Sequence, residues 1–181
     1  MALSGCGYNR VVELDEDVKA AWAEVQNQYQ RRADLIPNLV RAVTGVTEFE
    51  QETLTAVIEA RAKATSIQAG PDITGDAAAL EQFEAAQGQL SGALSRLLVT
   101  VERYPDLKAS EAFRDLMAQL EGTENRIAVA RKRYVEVVAE YNKVVLRFPT
   151  SIGAGMRNMT VRPTFEPRRP DLDTPPTVEF K

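Results

Sequence analysis

Residues 108–148 read KASEAFRDLMAQLEGTENRIAVARKRYVEVVAEYNKVVLRF, and the spacing inside this stretch decides the fold. Phe113, Met117, Leu120, Ile127, Tyr134, Val138, Tyr141, Val145 and Phe148 recur at helical intervals of three and four, with Glu124 and Arg131 filling the two gaps in the series. That is the stripe of an α-helix packed lengthwise against other helices. Pro149 stops it, because its ring clashes with the preceding turn and it offers no backbone donor. At ~1.5 Å rise per residue the helix is roughly 60 Å long. Such a helix cannot bury its apolar stripe alone. The fold expected is therefore all-α, an antiparallel bundle of three to four long helices.

The same period runs through the rest of the chain. Val18, Trp22, Val25, Tyr29, Ile36, Leu39, Val43 and Val46 mark a first helix over about 11–67, with Asp15, Glu16 and Asp17 near its positive end. Pro37 falls inside it. The stripe continues in phase beyond the proline, which predicts a kink near Ile36, with a complete break and four helices as the alternative. Gly70-Pro71 and Thr74-Gly75 mark a loop. A second helix follows over 76–103, with Asp76 or Thr74 as its cap and Leu80, Phe83, Gln87, Leu90, Leu94, Leu97 and Val101 as its stripe. Pro105 pushes Tyr104 out of helical geometry and ends it. Residues 1–10 are small and polar and read as a tether. Residues 149–181 hold six of the nine prolines, so no helix is expected there. Val161, Phe165, Val178 and Phe180 leave two readings of this Pro-rich tail, partly extended on the bundle or disordered.

Composition excludes several functions. The chain has 181 residues, one domain's worth, and a net charge of -4, which argues against a nucleic-acid footprint. No apolar run approaches the ~20 residues of a membrane span. There is no histidine, which removes the commonest general base and the commonest metal ligand. The one cysteine, Cys6, excludes an intrachain disulfide and a thiolate cluster. No cofactor is expected.

Cys6 ends the run Leu3-Ser4-Gly5-Cys6, in which small residues precede a cysteine as in a bacterial lipobox. The charged and apolar parts of a signal peptide do not precede it, so Met1-Ala2 reads as a start introduced in their place. Lipidation at Cys6 predicts a membrane-anchored protein facing the periplasm or cell exterior. Gly7 follows the cysteine instead of a retaining Asp, which favours the outer membrane where a cell has two.

Polar residues interrupt the stripes: Arg32 and Glu50 in the first helix, Gln87 in the second, Glu124 and Arg131 in the third, with Arg61 about two turns from Glu124. A charge inside a bundle must find a partner or turn to the rim. The expectation is a structural polar network that sets helix register. Glu124 would pair with Arg61, and Arg131 with Glu59 or Glu84. The competing reading, a carboxylate metal site, lacks the Glu-x-x-His signature of di-iron bundles. Glu48, Glu50 and Glu52, and Lys132 with Arg133, read as solvated helix faces. Tyr29, Tyr134 and Tyr141 read as core. Gly153-Ala154-Gly155 lacks the lysine and the strand of a phosphate loop.

One longer motif is more specific. The stretch Arg31-Arg32-Ala33-Asp34-Leu35-Ile36-Pro37-Asn38-Leu39-Val40 resembles the LemA family. Glu59-Ala60-Arg61-Ala62, Tyr104-Pro105-Asp106-Leu107-Lys108, Glu121 to Ile127, Tyr141-Asn142, Phe148-Pro149 and Pro175 to Phe180 support the resemblance in the same order. It implies a helical bundle with an N-terminal anchor or lipobox, displayed outside the cytoplasm, and it assigns no catalytic residue. The segment Thr150 to Met156 is less aromatic than is usual in the family. The function expected is a non-enzymatic interaction or scaffold domain at the cell envelope. Its partner would be an envelope protein or the membrane itself. The alternatives are a metal-dependent or carboxylate-based hydrolase and a self-assembling structural protein, that is, a homo-oligomer.

Overall fold

The structure, a computed structural model, describes residues 6–45, 49–68 and 73–165. These fold as an all-α bundle. The elements are α1 (Cys6–Thr44), α2 (Gln51–Gln68), α3 (Ala77–Val101), the short α4 (Pro105–Ala109), α5 (Glu111–Leu146) and the short α6 (Thr150–Gly155). The four long helices run down, up, down and up. None of the described helices is long and apolar enough to cross a membrane.

Local chemistry accounts for most of the boundaries. Asp76 caps α3, accepting from the backbone N–H groups of Ala78 at 2.9 Å and Ala79 at 3.1 Å. Ser110 caps α5 through Phe113 N–H at 3.2 Å. Pro105 sits in the first turn of α4, where its missing N–H costs nothing. At the far end of α5 the Thr150 hydroxyl donates to the Val144 carbonyl at 2.6 Å, joining the Arg147 N–H that reaches the same acceptor at 3.3 Å.

Four boundaries depart from the sequence reading. The helix expected over 11–67 is two helices. α1 passes through Pro37 unbroken, and the chain turns between Gly45 and Glu50, so that α2 folds back on α1. Leu54 and Val57 are buried in the same cluster as Leu39 and Val43, which the turn brings together. Residues 6–10 of the expected tether already belong to α1. The third helix expected over 108–148 is preceded by α4, with Ser110 between them. Finally, α6 forms inside the segment whose proline count argues against any helix. Pro149 stands at its cap and the next proline is Pro163, so the helix interior contains none. Leu3 to Gly5, Val46, Glu48, Gly70-Pro71, the side chain of Cys6 and the tail beyond Phe165 lie outside the described residues.

Pro37 stays in the helix by an identifiable device. It has no N–H to give the Ala33 carbonyl one turn back. The Arg61 side chain on α2 supplies it instead, with Nε donating to Ala33 O at 2.8 Å.

The core has two clusters. One is rich in rings: Trp22, Tyr29, Phe83, Tyr134, Tyr141 and Phe165, with Val11, Leu14 and Val18. The other is aliphatic: Ile36, Leu39, Val57, Leu90, Leu94, Leu97 and Leu120 among others. Burying each such side chain contributes about 1.5–3 kcal/mol relative to exposure. α1 has 39 residues and α5 has 36, against 25 in α3, so the long pair extends beyond the other two helices at one end. There the segment after α6 takes over. Asn158, at φ 54°, turns the chain. Asn142 then holds Arg162 at both backbone groups, accepting its N–H at 2.8 Å and donating to its carbonyl at 2.9 Å. Phe165 closes the wall against Trp22 and Tyr134.

Candidate functional site

Between the two clusters lies a polar layer. α1 contributes Arg32, whose side chain is only 2% exposed. Its Nη1 donates to Glu124 Oε1 of α5 at 2.8 Å and to Ser91 Oγ of α3 at 2.9 Å. Its Nη2 donates to Gln87 Oε1 at 2.5 Å and to the Gln87 carbonyl at 3.3 Å. The guanidinium also lies over the Tyr29 ring, 5.0 Å from its centre. Among the described residues the Arg32 Nε has no hydrogen-bond partner. Glu124 is 44% exposed, so the pair joins a buried cation to an anion at the rim.

About two turns further along α5, Arg131 donates to Glu84 Oε1 at 2.5 Å and to the Tyr29 hydroxyl at 3.2 Å. Its other side covers Phe165, 4.1 Å from the ring centre. Burial pulls the Arg131 guanidinium down, but Tyr29 and Glu84 outweigh it and leave the group above its ordinary value. Together Arg32, Gln87, Glu124, Arg131 and their neighbours line an open cleft of about 380 Å³.

The sequence-derived network is partly assembled. Arg32, Gln87, Glu124 and Arg131 meet here, and Arg131 takes Glu84, one of the two acids expected for it. Two expectations are corrected. Glu50 is not in this layer; it pairs with the exposed Arg103 near the opposite end. Arg61 does not reach Glu124; it serves the Ala33 carbonyl. Both follow from the turn after Gly45, which reverses α2 and carries Glu50 to the bottom of the bundle. Arg32 becomes the partner of Glu124 instead. Sequence reasoning missed Ser91 and the Tyr29 hydroxyl, neither of which stands out by type.

A second polar cluster has no signature in the sequence. Arg162 donates to Asp15 Oδ1 at 2.5 Å and also to the Thr74 hydroxyl. Lys19 approaches the same carboxylate at 3.0 Å. Burial pushes the Asp15 carboxyl up, but hydrogen bonds from Lys19 and Arg162 outweigh it and hold it below its ordinary value. This clasp ties the C-terminal segment to α1 and the α2–α3 loop. By type and place Asp15 is only a helix-start charge, and Arg162 lies in a stretch without helical period.

The arrangement can fix register, and its ionic chemistry is internally neutralised. Arg32 faces Glu124, Arg131 faces Glu84, and Arg162 faces Asp15. Among the described residues no three His, Cys, Asp or Glu side chains converge on a point where they could hold a metal ion. The remaining motif residues face outward. Arg31, Asp34, Pro37 and Asn38 are exposed on α1. Gln30 donates to Asp34 at 2.7 Å, and Arg41 donates to Asn38.

No curated protein sequence matches this one. The family model described as the LemA family matches residues 21–180, nearly the whole chain, including Arg32, Pro37, Arg61, Glu124 and Arg131. With its helical bundle and that match together, the chain belongs to the LemA family.

Proposed function

We propose that this LemA-family chain is a membrane-anchored, non-enzymatic interaction or scaffold domain of the cell envelope. One observation carries the reading. The family motif divides into an inward residue, Arg32, which is engaged in the bundle, and an outward stripe that the bundle does not need for packing. Arg31, Asp34 and Asn38 recur at intervals of three and four, on one exposed face of α1. An exposed, charged, helical stripe on a rigid support is suited to recognising an envelope protein partner. The hydrolase reading has less support, since each carboxylate in the cleft is held by a guanidinium. The anchor is Cys6, in the first turn of α1.

The stripe is tested by crosslinking from position 38 in the native envelope. A partner captured by the parent chain and lost in Arg31→Glu/Asp34→Lys supports the reading; identical capture by both overturns it. The anchor is tested separately. The full-length precursor should enter the membrane fraction, and Cys6→Ser should release or misprocess it.

A further inference from the structure

At the end where α1 begins, the bundle leaves apolar side chains uncovered. Leu146, Phe148, Ile152 and Met156 are between 59% and 84% exposed. Ile152 and Met156 stand four apart on α6 and its C-cap and so share one side, and Phe148 lies exposed just before the helix. Ala154, on the opposite side, is buried against the bundle. The short helix is thus amphipathic, with its apolar face turned away from the core. The other exposed large apolar residues among the described ones are scattered: Val12, Ile58, Val99 and Val129 stand on separate helices and Val161 beyond α6. Scattered residues of that kind need no explanation, whereas a cluster does.

Charge says what the cluster faces. Residues 141–165 contain Lys143, Arg147, Arg157 and Arg162 and neither Asp nor Glu, in a chain of net charge -4. Arg162 is engaged by Asp15. Lys143 and Arg147 are exposed and form no ion pair with a described residue. Glu13, in the same hollow as Arg147, and Glu140, three residues before Lys143, share the one cation Arg10. Three cations, Arg10, Lys143 and Arg147, against these two acids leave a positive surplus beside the apolar side chains, which matches a bilayer interface with anionic headgroups. The apolar groups enter the acyl boundary and the cations meet phosphates.

Position agrees with charge. Arg147, Phe148, Pro149 and Thr150 share a surface hollow with Asn9, Arg10 and Glu13, in the opening turns of α1. Cys6 lies about one turn before Arg10, roughly 6 Å along the axis. We propose that Leu146, Phe148, Ile152 and Met156, rimmed by Lys143 and Arg147, dock this end of the bundle onto an anionic lipid surface. The inference rests on the reading that the chain is anchored through its N-terminal end. A surface too weak to bind alone then acts at high effective concentration, and it orients the bundle instead of merely holding it.

The test imposes the tether chemically. The full chain is coupled through Cys6, its single cysteine, to a maleimide lipid in vesicles of phosphatidylcholine with or without phosphatidylglycerol. Amide exchange is then followed over 146–156. Several-fold slowing on the anionic vesicles alone, abolished by Phe148→Ser/Ile152→Ser/Met156→Ser, is the expected result. Uncoupled protein should show at least roughly ten-fold weaker partition in the same variant. Should the triple variant be unstable, Met156→Asp, at the most exposed of these positions, carries the comparison. Exchange unchanged by vesicles, or equal in parent and variant, overturns the inference. So does a concentration-dependent dimer that the substitutions dissolve, which would make the occupant a second copy. Because coupling replaces cellular lipidation, failure here leaves the anchor intact, and failure of the Cys6→Ser precursor test leaves the docking surface intact.

Discussion

The two halves of the bundle on either side of Arg32 are built from different materials. The aliphatic half is walled mainly by long helices, with α2 and α3 supplying Leu54, Val57, Leu90, Leu94 and Leu97 and the short α4 adding Leu107. The aromatic half outruns α2 and α3, and its last wall is the segment that follows α6. Its rings meet edge-on or tilted: Trp22 and Tyr29 lie 5.2 and 5.1 Å from Phe83, and Trp22 lies 5.4 Å from Tyr134. Ring geometry is directional, and it is reinforced here by Arg131 over Phe165 and by the Asp15–Arg162 clasp. Branched aliphatic side chains can repack with little loss; a set of interlocked rings closed by one strap cannot. The expected difference is one of cooperativity. The aliphatic half should hold by itself, while the aromatic half should depend on its strap.

The largest effect should come from the layer that joins the halves. Arg32→Ala removes a buried cation, opens a cavity and strands the buried Gln87, and should lower stability by about 3–5 kcal/mol in urea denaturation. Arg32→Met with Gln87→Leu should recover most of it. Glu124→Ala should cost only about 1–2 kcal/mol, since Glu124 is half exposed and solvent screens the pair. Equal costs for the two single changes would mean that both ends of the pair are equally dry.

Next comes the strap. Phe165→Ala should destabilise by about 2–4 kcal/mol, and amides near Trp22 and Tyr134 should exchange before those near Leu94. Leu97→Val, in the aliphatic half, should cost about 1 kcal/mol with no such local loosening. Uniform loosening in both variants would erase the distinction between the halves.

Acid separates the halves more gently. The folded Asp15 carboxyl lies below its ordinary value of 3.8, so it binds its proton less readily than in the unfolded chain. Its stabilisation is therefore complete above that ordinary value and is lost as pH falls through the lower folded one. Fluorescence of Trp22, the chain's single tryptophan, should report the aromatic half opening in this acid range, and Asp15→Asn should flatten the dependence. An Asp15→Asn profile identical to the parent's would remove the clasp from the account.

The smallest net effect is the most diagnostic. Pro37→Ala gives the Ala33 carbonyl a helical donor and should be nearly neutral or stabilising. Arg61→Met should cost about 1–2 kcal/mol in the parent chain and close to nothing in the Pro37→Ala background, a coupling near 1 kcal/mol in the double-mutant cycle. Additive costs would show that Arg61 does not serve that carbonyl.

Helical period is the legible part of this chain. Phe113, Leu120, Ile127, Tyr134, Val138, Tyr141 and Val145 are buried as their spacing foretells, and so are Leu80, Phe83, Leu90, Leu94 and Leu97. Phe148, which falls in the same stripe, lies beyond the end of α5 and faces out. The turn after Gly45 is hidden because the apolar period is good on both sides of it, and one glycine is a faint signal. Without that turn the heights of Glu50 and Arg61 come out wrong, and Arg32 is left without its partner. The Arg61 acceptor is a backbone carbonyl, which has no letter in the sequence. The clasp needs Arg162 placed beside Asp15, across a stretch whose backbone is organised by Asn142 and not by any repeat.

The Arg61–Ala33 bond that answers Pro37 reaches beyond this one molecule. A proline and an arginine 24 positions apart share a single hydrogen-bonding debt, one creating the unfilled acceptor and the other filling it. A chain that replaced the proline would release the arginine, and one that first lost the arginine would carry an open carbonyl between two packed helices. The two positions should therefore change together, and in a preferred order, with the proline going first.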